Sequence, residues 1–282
     1  YHTPALLERS GIGRPAVLGS HGIAVRMVNE HVGEHMLDHL RSCVSWQTRG
    51  AVTVNDIFFK PTVKLMQGAR WLFTRHGWLR TATMNTQMTV RSSPDAPRAD
   101  LKLQLNAMHH DFSRRGSLHF PLAKSSGLSL LNWPVYPRSR GHSHITGTQP
   151  WDHPDILANY LADPYDQQVT VAGLRLAREV ASQPALQKYL LDETFPGVDH
   201  RSDSELLEYA KGTGLTVYHP VGTCRMGKAG EGVVDTELRV HGLAGLRIAD
   251  ASVMPTMPAS NTNAPSIMIG ERAAHWALQE AA

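Results

Sequence analysis

Tyr218-His219-Pro220-Val221-Gly222-Thr223-Cys224-Arg225-Met226-Gly227 is the stretch on which the reading of this chain turns. His219 stands before a proline, which biases it out of helix, and the glycine-rich turn at Gly222 follows. An imidazole at a strand end facing a cleft is suited to proton transfer, because its ordinary pKa of about 6.5 lies near working pH. One histidine among 16 is by itself an ordinary surface or core residue, so His219 has to be judged with its neighbours. Asp250-Ala251-Ser252-Val253-Met254-Pro255 and Ser260-Asn261-Thr262-Asn263-Ala264-Pro265 follow it. In the second of these, Asn263 is expected as the N-cap of a terminal helix that starts near Pro265 and runs towards Ala282. Such a helix end carries unused amide donors and the positive end of the macrodipole, a seat for an anion. The plainer reading, compatible with that one, is a well-capped helix burying Ile267, Ile269 and Trp276.

Outward from this stretch, composition bounds the class. With 282 residues, 41% hydrophobic and 19% charged, the chain is long enough for one large or two modest domains. Its net charge is +3 and no basic stripe stands out, so nucleic acid is not an expected partner. Cys43 and Cys224 are too few for a disulfide framework. No apolar run approaches the roughly 20 residues needed to span a bilayer, and no signal peptide is visible. The expected setting is cytoplasmic, or peripheral at a membrane.

Three zones separate along the chain. Pro4-Ala5-Leu6-Leu7 opens a short helix that stops at the turn Ser10-Gly11-Ile12-Gly13. Residues 43–150 mix strands and loops: Ala51-Val52-Thr53-Val54 and Leu101-Lys102-Leu103-Gln104-Leu105 alternate in a two-residue period, and Pro94, Pro97, Pro134 and Pro137 break the zone up. From Asp166 the pattern is helical, with Val169, Ala172, Leu176 and Val180 on one face, and Ser202 with Glu205 forms a capping box. Leu238-Arg239-Val240 and Leu246-Arg247-Ile248-Ala249 read as short strands. His109-His110 reads as a loop pair, and Met66 and Met84 as packing residues. Trp46, Trp71, Trp78, Trp133 and Trp151 read as core or pocket wall before an aromatic cage for a cation.

One rival constellation stands apart. His31-Val32-Gly33-Glu34-His35 fits H-x-x-E-H, and on a helix His31, His35 and His39 would share a face able to hold zinc, the pattern of a zinc hydrolase. Gly33 weakens that helix by about 1 kcal/mol, and no third-ligand segment follows.

Taken in order, the segments closely resemble the C-terminal part of the glucose-methanol-choline (GMC) oxidoreductases, choline-dehydrogenase-like alcohol dehydrogenases in particular. Tyr1 to Gly13 resembles the end of the family's second signature, with Thr3 where Ser is usual. Val32-Gly33-Glu34-His35-Met36-Leu37-Asp38-His39 resembles Val-Gly-Glu-Asn-Leu-Gln-Asp-His. Pro137-Arg138-Ser139-Arg140-Gly141 and Asn159-Tyr160-Leu161-Ala162-Asp163-Pro164 also fit, and the segments at 218–227, 250–255 and 260–271 complete the series.

The resemblance implies an α/β and α+β architecture. It consists of the C-terminal part of a Rossmann-like FAD domain (1–42 and 211–282) and a substrate domain (43–210) with an antiparallel sheet flanked by helices. It implies FAD as cofactor, a small primary alcohol as substrate and a quinone-like acceptor or oxygen as electron sink. His219 would take the hydroxyl proton while hydride passes to the flavin, and Asn261 would hydrogen-bond the same oxygen without acting as a base. Asp250 and Ala251 would approach the cofactor, and Asn263 and Pro265 would begin the helix beneath the flavin ring. The family's Gly-x-Gly-x-x-Gly turn is not found, so the chain is expected to be a fragment whose N-terminal flavin-binding half is a further piece. A non-catalytic remnant is the remaining alternative.

Overall fold

An antiparallel sheet organises one of the two compact units into which the chain divides, Leu40–Pro134 together with Gln167–Leu215. The computed structural model describes residues 1–82, 84, 86–113 and 120–281. The principal strands of this unit are β1 (Leu40–Thr48), β2 (Thr86–Val90), β3 (Leu101–Asn106), β4 (Gly127–Pro134) and β5 (Leu190–Phe195). Strand β1 pairs with both β4 and β5, β4 with β3, and β3 with β2, all antiparallel. Every residue of β4 is buried, as expected for a strand covered on both faces. From Gln167 onward the helix Pro164–Ala181 lies against it: a Cβ on Gly173 would sit 2.4 Å from Asn132 Oδ1, so glycine permits the close approach. Cys43, Phe112, Leu131 and Trp133 pack with Phe120 and Phe195 into an apolar cluster.

Several expectations for this unit change. Ala51–Val54 forms no strand; a helix begins at Val54 and runs to Phe59. Thr53 and Asp56 build a capping box there, and the Thr53 amide donates to Asp56 Oδ2 at 2.8 Å. Two orphan amides are satisfied locally, which outweighs four residues of alternation. His109 is buried, its Nε2 within 3.0 Å of the Ser125 carbonyl, while Asn55 holds its backbone amide and carbonyl. Met66 and Met84 are exposed, 53% and 44%, rather than core residues. Trp46 and Trp133 are buried in the sheet and Trp151 stands in solvent, so those three are core or surface residues.

The other unit comprises Tyr1–His39, Val135–Asp166 and Thr216–Ala282. Val135–Asp166, read from sequence as part of the middle block, thus groups with the two chain ends. Turns and single bridges dominate it, around a core that includes Leu7, Val32, Leu37, Val221, Val233, Val253 and Ile269. The helix His2–Arg9 ends at Ser10, and Gly11 follows at φ +81°. Cys43 and Cys224 are both free thiols. Residues 238–240 and 246–249 form no strands; Val234↔Val240 and Arg239↔Arg247 are isolated bridges. Gly242 and Gly245, both at positive φ, turn the chain too soon for a ladder to grow. The terminal helix spans Asn263–Ala281. It buries Ile269 and half-buries Trp276, but Ile267 is 58% exposed, against expectation. Among the described residues no helix is long and apolar enough to cross a membrane.

Candidate active site

His219 is held by a two-segment ladder. Leu37 and Val221 exchange both backbone hydrogen bonds at 2.9 Å, and the Val217 amide donates to the His39 carbonyl at 3.1 Å. This register sets His39 directly opposite His219, so their side chains meet. The chain enters the histidine through Tyr218 in the left-handed region, φ +63°, and leaves through Gly222 at φ +93°. A Cβ on Gly222 would lie 2.6 Å from the His35 carbonyl oxygen, which is why glycine stands there. Tyr218 stores strain of order 1–3 kcal/mol, which the surrounding hydrogen bonds must outweigh.

The carboxylate of Asp38 does much of that. It is buried, and Oδ1 accepts the His39 amide at 2.8 Å and the His219 amide at 2.9 Å. Oδ2 accepts the hydroxyls of Tyr160 and Thr216. Thr216 Oγ1 in turn accepts the Tyr218 amide at 2.8 Å, so the strained residue is tied to the same carboxylate. Burial and then the neighbouring Asp38 charge push the Tyr160 phenol well above its ordinary pKa, and it remains a donor.

The two imidazoles are buried and face each other edge to face, ring centroids 5.3 Å apart. His39 Nε2 lies 2.9 Å from the Val135 carbonyl and must donate to it. In the neutral pair, His39 Nδ1 is therefore an acceptor. It lies 3.0 Å from His219 Nδ1, which then carries the proton. The lone pair of His219 is thereby placed on Nε2. A backbone carbonyl thus dictates, through one ring, which nitrogen of the next is basic.

The remaining expected site residues divide. Asp250 Oδ1 caps the single turn Ala251–Val253 by accepting the Ser252 amide at 2.7 Å, and its Oδ2 accepts the Thr3 hydroxyl at 2.7 Å. That turn is stitched to the segment after His219: the Cys224 and Met226 amides donate to the Ser252 and Val253 carbonyls at 2.9 and 2.8 Å. Asn261 is exposed in the coil before the terminal helix, and Asn263 is the helix's first residue. Asn263 is not the N-cap; Thr262 is, since its carbonyl accepts the Ser266 amide at 3.0 Å. Pro265 sits in the first turn, where its missing N–H costs nothing.

The zinc constellation does not assemble. Residues 31–39 are turns and bridges, with Gly33 and His35 at positive φ, so no helical face exists for His31, His35 and His39 to share. Glu34 pairs with Arg14 and with His144, while His39 belongs to His219. Among the described residues no group of three metal-ligating side chains occurs.

Sequence reasoning missed Asp38 and His39 as partners of His219, and missed Tyr160 and Thr216 behind them. The signal was present in the Asp-His pair closing the 32–39 motif, but a pairing across 180 positions is invisible along a chain.

A buried histidine of one tautomer, set on a carboxylate hub, is a group able to take or give a proton. The comparisons give its setting. Residues 137–270 match the profile of the GMC oxidoreductases. The alcohol dehydrogenase [acceptor] of Pseudomonas putida is 36% identical over 274 residues, 97% of this chain and 49% of that protein. An oxygen-dependent choline dehydrogenase of Klebsiella pneumoniae is 34% identical, over 96% of this chain and 48% of that protein. Among solved structures, pyridoxine 4-oxidase from Mesorbium loti superposes with TM-score 0.80 at 26% identity, covering 98% of this chain and 49% of that one. A formate oxidase, at 24% identity and TM-score 0.85, covers 98% of this chain and 52% of its own, and shares the fold. Over residues 137–270 this chain carries the C-terminal domain of the GMC oxidoreductases. It spans about half the length of the curated relatives it matches.

Proposed function

We propose that this chain carries the proton-handling part of an FAD-linked oxidation of a primary alcohol to an aldehyde, with His219 Nε2 as the general base. The observation supporting this most directly is the fixed tautomer of His219, set by His39 and the Val135 carbonyl. A base already protonated on Nδ1 takes a hydroxyl proton on Nε2 without reorganising, and the second ring shares the resulting charge. Asp38 keeps the backbone of both histidines in place and so fixes the direction from which the proton is taken. Asn261 would offer an amide donor to the substrate oxygen and cannot itself act as a base.

The residues here suit the ring end of FAD. Asn261, Asn263, Ile267 and Met268 are all exposed around one helix start, joining amide donors to apolar surface. Asp250, Ala251, Asn263 and Pro265 would line that end, while the sequence offers no Gly-x-Gly-x-x-Gly cradle for the pyrophosphate. Bound FAD would supply the hydride acceptor. The relatives' names support an alcohol as substrate; the acceptor that reoxidises the system is proposed as quinone-like or oxygen. The two units correspond in this reading to the C-terminal part of a flavin domain and a substrate domain.

The test is His219→Gln in flavin-loaded protein, following alcohol-driven bleaching of the flavin without oxygen. A fall of about 10²- to 10⁴-fold with flavin retained is expected for loss of a general base. Unchanged bleaching would remove His219 from the chemistry. Retained flavin that no alcohol bleaches in the parent protein would favour a non-catalytic remnant.

A further inference from the structure

On one face of the sheet a positive charge is buried with no negative charge to meet it. Lys102 is 5% exposed. Strand β3 pairs it with Trp133 of β4, and its ammonium lies 5.6 Å from the centroid of that indole. Continued one place beyond Ser42↔Asn132, the register of β1 with β4 sets Arg41 opposite Trp133 on the indole's other side. Side chains alternate along each strand, so Arg41, Trp133 and Lys102 form one row on one face, the aromatic ring between two cations. Cys43 and Leu131 form the next row, and with Phe112 they back the site with an apolar wall.

Apart from Arg41 and Lys102, every residue that β1 to β4 present on this face is uncharged. The carboxylates nearest to them in sequence are committed elsewhere. Asp100 accepts the Ser92 amide and hydroxyl at 2.7 and 2.9 Å, and Asp38 holds the amides of His39 and His219. Among the described residues neither cation makes an ion pair. Burial lowers the pKa of Lys102, and no neighbouring carboxylate holds it up. Burial first, and then the charge of Arg41, push the His110 imidazole down to about 4, so it stands neutral near the row. A lysine this deeply buried is almost always paired, because an uncompensated charge is costly to desolvate. A bound anion removes that cost. The guanidinium fork matches two carboxylate oxygens, the ammonium adds a further donor, and the indole with its apolar wall suits the carbon body attached. A cation would be repelled from both sides, and a neutral alcohol would leave both charges bare. Trp133 is therefore no cage for a cation.

We propose that Arg41, Trp133 and Lys102 form a binding site for a small organic carboxylate, its oxygens shared between the guanidinium and the ammonium and its apolar body laid towards Trp133. The site lies wholly within the unit that the sheet organises. It goes beyond the alcohol-oxidation reading and does not rest on it.

The test is thermal unfolding of the protein with sodium benzoate, with benzyl alcohol and with sodium phosphate, ionic strength being held constant with sodium chloride. Benzoate should raise the transition in a saturable, concentration-dependent way, as a ligand of the folded state does. Benzyl alcohol, with the same ring and no charge, should not, and phosphate should act more weakly than benzoate. Lys102→Met and Arg41→Met should each weaken the benzoate dissociation constant at least roughly tenfold, the worth of one charge-assisted hydrogen bond. Without ligand, Lys102→Met should melt no lower than the parent, since it removes a charge that has no partner. No shift with benzoate overturns the proposal, as does an equal shift with benzyl alcohol or a larger one with phosphate. So does benzoate binding that survives undiminished in both variants. A ligand-free Lys102→Met protein that melts below the parent would mean the ammonium is already compensated, and overturns it too. No readout involves flavin, so the outcome stands whatever happens to the His219 assignment.

Discussion

Replacing Asp38 by alanine should unfold the candidate site from its centre. The carboxylate satisfies two buried backbone amides, those of His39 and His219 at 2.8 and 2.9 Å, and two hydroxyls, those of Tyr160 and Thr216. Hydroxyls can turn to other acceptors, but a backbone amide cannot. Each orphaned amide costs about 1–3 kcal/mol, so Asp38→Ala should lose about 2–6 kcal/mol, reduced by no longer having to bury a charge. Asp38→Asn separates the two contributions. Its Oδ1 still reaches both amides, while the charge assistance and the acceptor of both hydroxyls are lost and those hydroxyls must turn elsewhere, so about 1–2 kcal/mol is expected. Urea unfolding followed by tryptophan fluorescence measures both, with the midpoint falling further for alanine than for asparagine at unchanged slope. If alanine costs less than about 0.5 kcal/mol, or if asparagine costs as much as alanine, the hub account is wrong.

Two further outcomes are expected. Gly222→Ala forces φ +93° on a residue with a side chain and sets its Cβ 2.6 Å from the His35 carbonyl, so a loss of at least about 1–3 kcal/mol is expected, read as a lower urea midpoint. The second concerns pH. Burial lowers the pKa of His144, but hydrogen bonds and charge from Glu8 and Glu34 outweigh it and raise it above 6.5. A raised folded pKa means the contribution is complete below the unfolded value and is lost as pH rises through the folded one. Stability should therefore decline above pH 6.5, and His144→Gln should flatten that decline; a parent profile no steeper than the variant's would rule the linkage out.

The sequence alone settled the family-bearing motifs and much of the helical content. The helical pattern from Asp166, the Ser202–Glu205 box and the alternation of 101–105 are all local patterns, and local hydrogen bonding or burial decides them. Where the reading slipped, a competing short-range term had been overlooked: the Thr53–Asp56 box at 51–54, positive-φ residues at 33 and 35, and Thr262 one place ahead of Asn263. His219 could be singled out from its proline and glycine neighbours. That it faces His39 could not, because the register that sets Leu37 against Val221 arises only when distant segments pair. The outward-facing stripe of the helix Pro61–Thr74 was equally hidden: periodicity marks an amphipathic helix but carries no sign for which face meets the protein. Only the packed structure, by burying Gln67 and leaving Leu65 and Phe73 outside, decided that.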